Sequence, residues 1–230
     1  MRTKRAWLLM KYHIKINNVN NYQKLKIFKR VDIVHFHISE TKNLNSLILS
    51  GFKDFIKCLP SSIETSCSIE RWESIEESLI SSILSELEVD YFECQAPEYF
   101  KEKESRHFVE KIKNISHKKI ISGIQLYSEE NIIDEIKGIR SLYQNDIAYF
   151  EIHLESLVNR GYDGFNKNQI NEIEMFCKNY PVLLSDNFDS KKSICDYKIK
   201  ANQGFFFDLK SNAMKSDNSY GIRELHDLIN

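Results

Sequence analysis

The chain has 230 residues, about one and a half times a typical ~150-residue domain, with 42% hydrophobic and 28% charged residues, an ordinary globular composition. Its 33 acidic and 32 basic residues nearly cancel, so no basic excess points to nucleic acid or a membrane surface, and no run of ~18 apolar residues predicts a membrane span. Only 7 glycines and 3 prolines argue against a turn-dense β-sandwich or a Gly/Pro-rich disordered chain, and against the usual glycine cradle for phosphate.

The first ten residues start basic and turn apolar, but Lys11 and His13 interrupt the apolar patch. That reads as a first buried strand over 7–16 rather than a signal peptide. An amphipathic stretch at 20–29 follows, then a β-branched and aromatic run at 31–38 and a helix at 44–58. The same alternation continues with strands at 63–69, 89–95, 119–127, 147–154, 181–186 and 204–209. Helices are expected between and after them at 73–88, 97–115, 129–143, 168–178, 190–201 and 220–229. Strict β/α alternation implies a parallel sheet with right-handed crossovers. Eight units in this length predict a single domain over 1–230, an α/β fold of the compact (β/α)8 TIM-barrel kind. A doubly wound open sheet is the alternative, and it would more often carry a Gly-rich fingerprint after the first strand. The cysteines at 58, 67, 94, 177 and 195 are odd in number and show no CxxC spacing. They fit core thiols of a reducing, cytoplasmic environment.

Side chains alternate along a strand, and the outer face of a barrel packs under helices, so polar strand residues belong inside. This places Lys11, His13 and Lys15 on one parity, then His35 with His37, Glu93 with Gln95, Gln125, Glu151 with His153, Asp186, and Asp208 with Lys210. So many ionisable groups cannot be buried cheaply unless they pair, bind metal or face water. A binding or catalytic mouth accounts for them better than separate, satisfied core histidines. His35 and His37, two apart on a strand, point to one side and could share a metal ion. Lys11, Lys15 or Lys210 could serve as a Schiff-base amine, against the plainer expectation that a strand lysine pairs with Glu93, Glu151 or Asp208. Trp7 and Trp72 are expected to pack, Cys94 to face the helices, and His107, His117 and His226 to be exposed.

The segment from Val31 to Glu40, with His35-Phe-His37 at its centre, resembles the second strand of ribulose-phosphate 3-epimerases. Ser66 to Tyr91 resembles the third-to-fourth-strand pattern, and Asp186 matches the seventh-strand aspartate. Lys210 to Asn218 and the closing stretch Gly221 to Ile229 are similar to the family's phosphate loop and last helix. The resemblance implies a barrel of the ribulose-phosphate-binding type. It implies epimerisation or isomerisation of a ketose phosphate by two-base proton transfer through an enediolate, with a divalent metal as Lewis acid. Carried over by position, His37 and Asp186 are the acid–base pair, and His35, His37 and Asp186 the metal ligands. The substrate contacts would be His13, Gln95, Glu151, His153, Gly161, Gly164, Asn187, Ser211 and Asn212.

The departures are chemical. His37 stands where the family has an aspartate, and Ser66 where it has a third-strand histidine. The family's paired glycines after strand seven become Asn187-Phe188 and its Gly-Ser after strand eight becomes Ser211-Asn212, leaving Gly161 and Gly164 as the remnant of a loop. An epimerase with altered substrate or metal use therefore competes with two other readings. One is a lyase or aldolase on a phosphorylated substrate; the other is a catalytically degenerate barrel kept for binding or scaffolding. The partner expected is a small phosphorylated sugar, without nucleic acid or membrane, and homo-oligomers are allowed.

Overall fold

The computed structural model describes residues 13–19, 31–39, 46–97, 102–127, 131–155, 165–185 and 203–208. Eight strands run in chain order: β1 His13–Asn17, β2 Ile33–Ile38, β3 Glu64–Ile69, β4 Tyr91–Gln95, β5 Lys118–Tyr127, β6 Ile147–Glu155, β7 Val182–Ser185 and β8 Gly204–Asp208. Each pairs in parallel with the next, and β8 returns to β1, closing the barrel. The described helices are α1 Ser46–Lys57, α2 Glu77–Leu87, α3 Glu102–Lys113, α4 Ile132–Ser141 and α5 Lys167–Asn179. The helices expected at 20–29, 190–201 and 220–229 lie outside the described residues, as does the start of the first strand.

Two apolar layers hold the fold. Outside the barrel, strand residues such as Phe36, Cys67, Phe92, Cys94, Ile121, Phe150 and Ile152 pack in one cluster with helix residues. α2 offers Ile80, Ile83, Leu84 and Leu87, the i, i+3, i+4, i+7 stripe expected of a core-facing helix. A fully buried isoleucine contributes about 1.5–3 kcal/mol relative to an exposed one. Inside the barrel, Ile33, Tyr91, Ile120, Tyr149, Leu183 and Phe206 form a separate plug towards the strands' N-terminal ends. Cys94 faces the helices, as its parity predicts, and burial pushes its thiol well up.

Local chemistry explains where elements stop. The helix expected over 73–88 begins at Glu77, because Arg71 is left-handed (φ 54°) and launches a short 3-10 turn, Trp72–Ser74, with Ile75 and Glu76 extended behind it. α5 starts with a capping box: Asn166 Oδ1 accepts from the N–H groups of Asn168 and Gln169, and Gln169 Oε1 accepts from Asn166 N–H. Asn18, Arg71 and Glu88 occupy left-handed backbone where glycine is the usual choice. At Gly204 (φ 155°) glycine is obligatory, since an added Cβ would lie 1.9 Å from the His13 carbonyl oxygen, at the seam where β8 meets β1. His117 is half-buried rather than exposed, and burial beside Lys119 lowers its pKa.

Candidate functional site

Above the apolar plug the barrel interior turns polar. Lys15 sits at the middle of β1 with no exposure, between Glu93 of β4 and Glu151 of β6. Its ammonium donates to Glu93 Oε2 at 2.6 Å and to Asn17 Oδ1, and it ion-pairs with Glu151 Oε1. Asn17 Nδ2 donates in turn to Glu151 Oε2 at 3.2 Å, and Ser66 Oγ to Glu93 Oε2 at 3.4 Å. The plainer expectation for Lys15 is the correct one: it is a counter-ion. Burial disfavours its charge, but Glu151 and Glu93 outweigh burial and raise its pKa, which favours the ammonium over the free amine a Schiff base requires; Lys11 and Lys210 lie outside the described residues.

The two carboxylates diverge around that one cation. Burial pushes Glu93 up, but the charge His35 carries whenever its ring is protonated, together with the Lys15 ammonium, outweighs burial and holds the group below the ordinary carboxylate value. Burial and the Glu93 charge push Glu151 up to about 7, with Lys15 and Asn17 pulling the other way.

At the C-terminal ends of β2 and β3 a second polar group forms. His35 Nδ1 accepts from the Asn18 backbone N–H at 3.3 Å. A backbone N–H can only donate, so neutral His35 carries its proton on Nε2. That Nε2 lies 2.9 Å from Ser68 Oγ and 3.7 Å from Glu93 Oε1. Ser68 Oγ in turn lies 2.8 Å from His37 Nδ1. Neutral His35 thus donates to the serine, and the same serine oxygen is the hydrogen-bond partner of His37 Nδ1.

These groups line one cavity of about 570 Å³ at the mouth, whose walls include Asn17, His35, His37, Ser68, Glu93, Gln95, Glu151 and His153. The backbone shapes its β5 wall. Register shifts between Ile121 and Ile124, and Gly123 (φ 77°) turns there; a Cβ at that position would come within 2.8 Å of Gln95 Cγ. The rim also carries Arg71 and Trp72, the latter packed edge-on against Phe92 and Phe108.

Of the sequence-expected site residues, His35, His37, Gln95, Glu151 and His153 are brought together here. His13 is not among the cavity walls: it begins β1, its ring 5.7 Å from Tyr149. Asp186, Gly161, Gly164, Asn187, Ser211 and Asn212 lie outside the described residues. Lys15 and Glu93 are interior by parity, as expected, and meet as the ion pair anticipated for a strand lysine, whereas Ser68 and Asn17 carried no signal beyond strand position. For a divalent metal, the described residues supply two imidazole nitrogens that meet on a hydroxyl. Among them no group of three or more His, Cys, Asp or Glu is placed to hold an ion.

No protein-family model matches the chain, and no curated protein matches its sequence. Solved structures do match its fold. One is 3-keto-L-gulonate-6-phosphate decarboxylase from Vibrio cholerae, at 12% identity and TM-score 0.52 over 95% of this chain and 98% of that one. Another is 3-hexulose-6-phosphate synthase from Salmonella typhimurium, at 9% identity and TM-score 0.53 over 94% and 98%. A third is a mutant tryptophan synthase alpha-subunit from Pyrococcus furiosus, at 12% identity and TM-score 0.54 over 95% of each chain. What they share with this chain is the fold, a closed parallel barrel of eight strands.

Proposed function

We propose that this barrel is an enzyme that moves a proton on the carbon next to the carbonyl of a small phosphorylated ketose, an epimerase or isomerase working through an enediolate. The observation that carries the reading is the single cavity in which His37, His35, Glu93 and Glu151 converge at the strands' C-terminal ends. Imidazole titrates near neutrality, so His37 can take or give the proton at one face. Phosphosugar neighbours of the same fold, a decarboxylase and a synthase by their names, support the substrate class. Asp186 belongs to the proposal as a second acid–base group. Gly161, Gly164, Asn187, Ser211 and Asn212 belong to it as phosphate and substrate contacts, and His13 as a remoter substrate contact. Alternatively to the proton role of His37, a divalent ion on His35, His37 and Asp186 would supply Lewis-acid charge; equilibrium dialysis with Mn²⁺ or Zn²⁺ against a His35→Ala variant tests that part.

The test of the reaction is proton NMR in D₂O with four- to six-carbon ketose phosphates. Deuterium should enter beside the carbonyl with epimer or isomer formation. Absence of both across the panel overturns the reading.

A second reading, a lyase, has one observation in its favour. The buried Lys15 ammonium, held charged under the cavity, would stabilise an enediolate formed by carbon–carbon cleavage as well as one formed by deprotonation. Release of a one-carbon fragment or carbon dioxide, without exchange of unreacted substrate, would favour it.

A further inference from the structure

We infer that Glu151 is the carboxylate that exchanges a proton with the substrate opposite His37, and that Lys15 and Asn17 are its positioning residues. This rests on the proton-transfer reading above and gives Glu151 the second acid–base place assigned there to Asp186. In a closed barrel of eight strands, β2 and β6 are four strands apart in either direction, so their inner faces oppose each other. His37 is the last residue but one of β2, Glu151 stands on β6, and both line the same cavity. Epimerisation needs one group on each face of a planar enediolate, and this pair supplies them without any residue beyond β7.

Glu151 is also held as a reacting group must be. Oε1 faces the Lys15 ammonium and Oε2 accepts from Asn17 Nδ2, both from β1. Those contacts fix the plane of the carboxylate but use only part of its roughly four lone-pair sites. The charged and titratable groups around it are Lys15 from β1, Glu93 from β4 on the far side of that ammonium, and His153 two residues further along β6. Two carboxylates sharing one cation are driven apart in proton affinity, and it is Glu151 that is pushed up to about 7. A base poised there is matched to neutral conditions.

The step balances as follows. The Glu151 carboxylate takes the proton from the carbon beside the carbonyl. The C–H pair becomes the C=C bond of the enediolate, and the carbonyl π pair moves onto oxygen. The His37 imidazolium then returns a proton to the opposite face as the carbonyl re-forms. Glu151 ends protonated and His37 neutral, and exchange with solvent resets both. In the reverse direction the two exchange roles.

The experiment follows deuterium exchange at C3 of ribulose 5-phosphate and of xylulose 5-phosphate separately. Wild type should exchange both. Glu151→Gln should lose exchange of one epimer by roughly 100-fold or more, within the range of general acid–base effects. It should keep exchange of the other within a few-fold, and His37→Asn should show the converse. Asn17→Ala should lower kcat and move the acidic limb of kcat/KM to higher pH, which a merely structural role would not do. If Glu151→Gln retains both exchanges, or loses both while its melting temperature is unchanged, the assignment is wrong. If wild type exchanges neither epimer, the same pair of variants is read on whichever ketose phosphate of the panel above does exchange; if none does, the inference falls together with the reading beneath it, and the two failures are told apart by that first measurement.

Discussion

Lys15 of β1 and Glu151 of β6 form an ion pair inside the barrel, with side-chain exposures of 0% and 2%. Removing one member of such a pair leaves a buried charge without compensation. Because Glu93 shares the same ammonium, Lys15→Met strands two carboxylates. It should cost about 3–5 kcal/mol of stability, read as a fall in the urea midpoint. The triple change Lys15→Met, Glu93→Gln, Glu151→Gln should recover most of that loss, since no charge is then left unpaired. A triple variant no more stable than Lys15→Met would show that the site's stability lies elsewhere.

The pH dependence of stability has a definite sign. Glu151, raised from an ordinary 4.5 to about 7, binds its proton more tightly folded than unfolded. Its contribution is complete below about pH 4.5 and is lost as the pH rises through about 7. Glu93 is held below 4.5, so its contribution is present above that value and lost as the pH falls through its folded pKa. Stability should therefore peak in mildly acidic solution and decline towards neutrality. Urea unfolding across that range measures it, and Glu151→Gln should remove the decline.

The tautomer of His35 can be read directly. With Asn18 N–H donating to Nδ1, nitrogen-15 shifts of the imidazole should report a neutral ring protonated on Nε2. Ser68→Ala removes the hydroxyl on which both imidazoles meet. It should cost about 1–3 kcal/mol and abolish any coupling between the titrations of His35 and His37. Unchanged titration curves for both rings would contradict the bridging role.

Backbone chemistry gives two changes of opposite sign. Glu88 ends α2 in a left-handed conformation, its N–H turned back to Leu84 and Ser85 carbonyls. Glu88→Gly should stabilise by about 1 kcal/mol, a shift of roughly 2–4 °C in Tm for a chain of this size. Asn166→Ala, which breaks the α5 capping box, should destabilise by about 1 kcal/mol. Thermal melts of the two variants side by side check both.

The barrel was legible because each β-branched run is followed by an amphipathic stretch, and parity alone correctly turned Lys15, His35, Glu93 and Glu151 inwards and Cys94 outwards. Depth was not legible. Which interior residues share a level depends on the stagger between strands, so nothing in the sequence distinguished Lys15, which meets Glu93 and Glu151, from His13 two residues earlier, which meets Tyr149. Ser68 was invisible for another reason. A serine on a strand has no chemical signature until two imidazoles are found within 2.9 Å of it. The position matched by resemblance to a metal histidine, Ser66, is instead fully buried and donates to Glu93.

The ammonium on β1 also bears on how this chain can be divided. Barrels of this architecture invite the idea of two half-barrels, each a folding and evolutionary module of four strands. Here the first half, β1 to β4, would keep Lys15 and Glu93, while the second, β5 to β8, would carry Glu151 without its counter-charge. The two halves are complementary in electrostatics rather than equivalent: the second depends on the first for the counter-charge of Glu151.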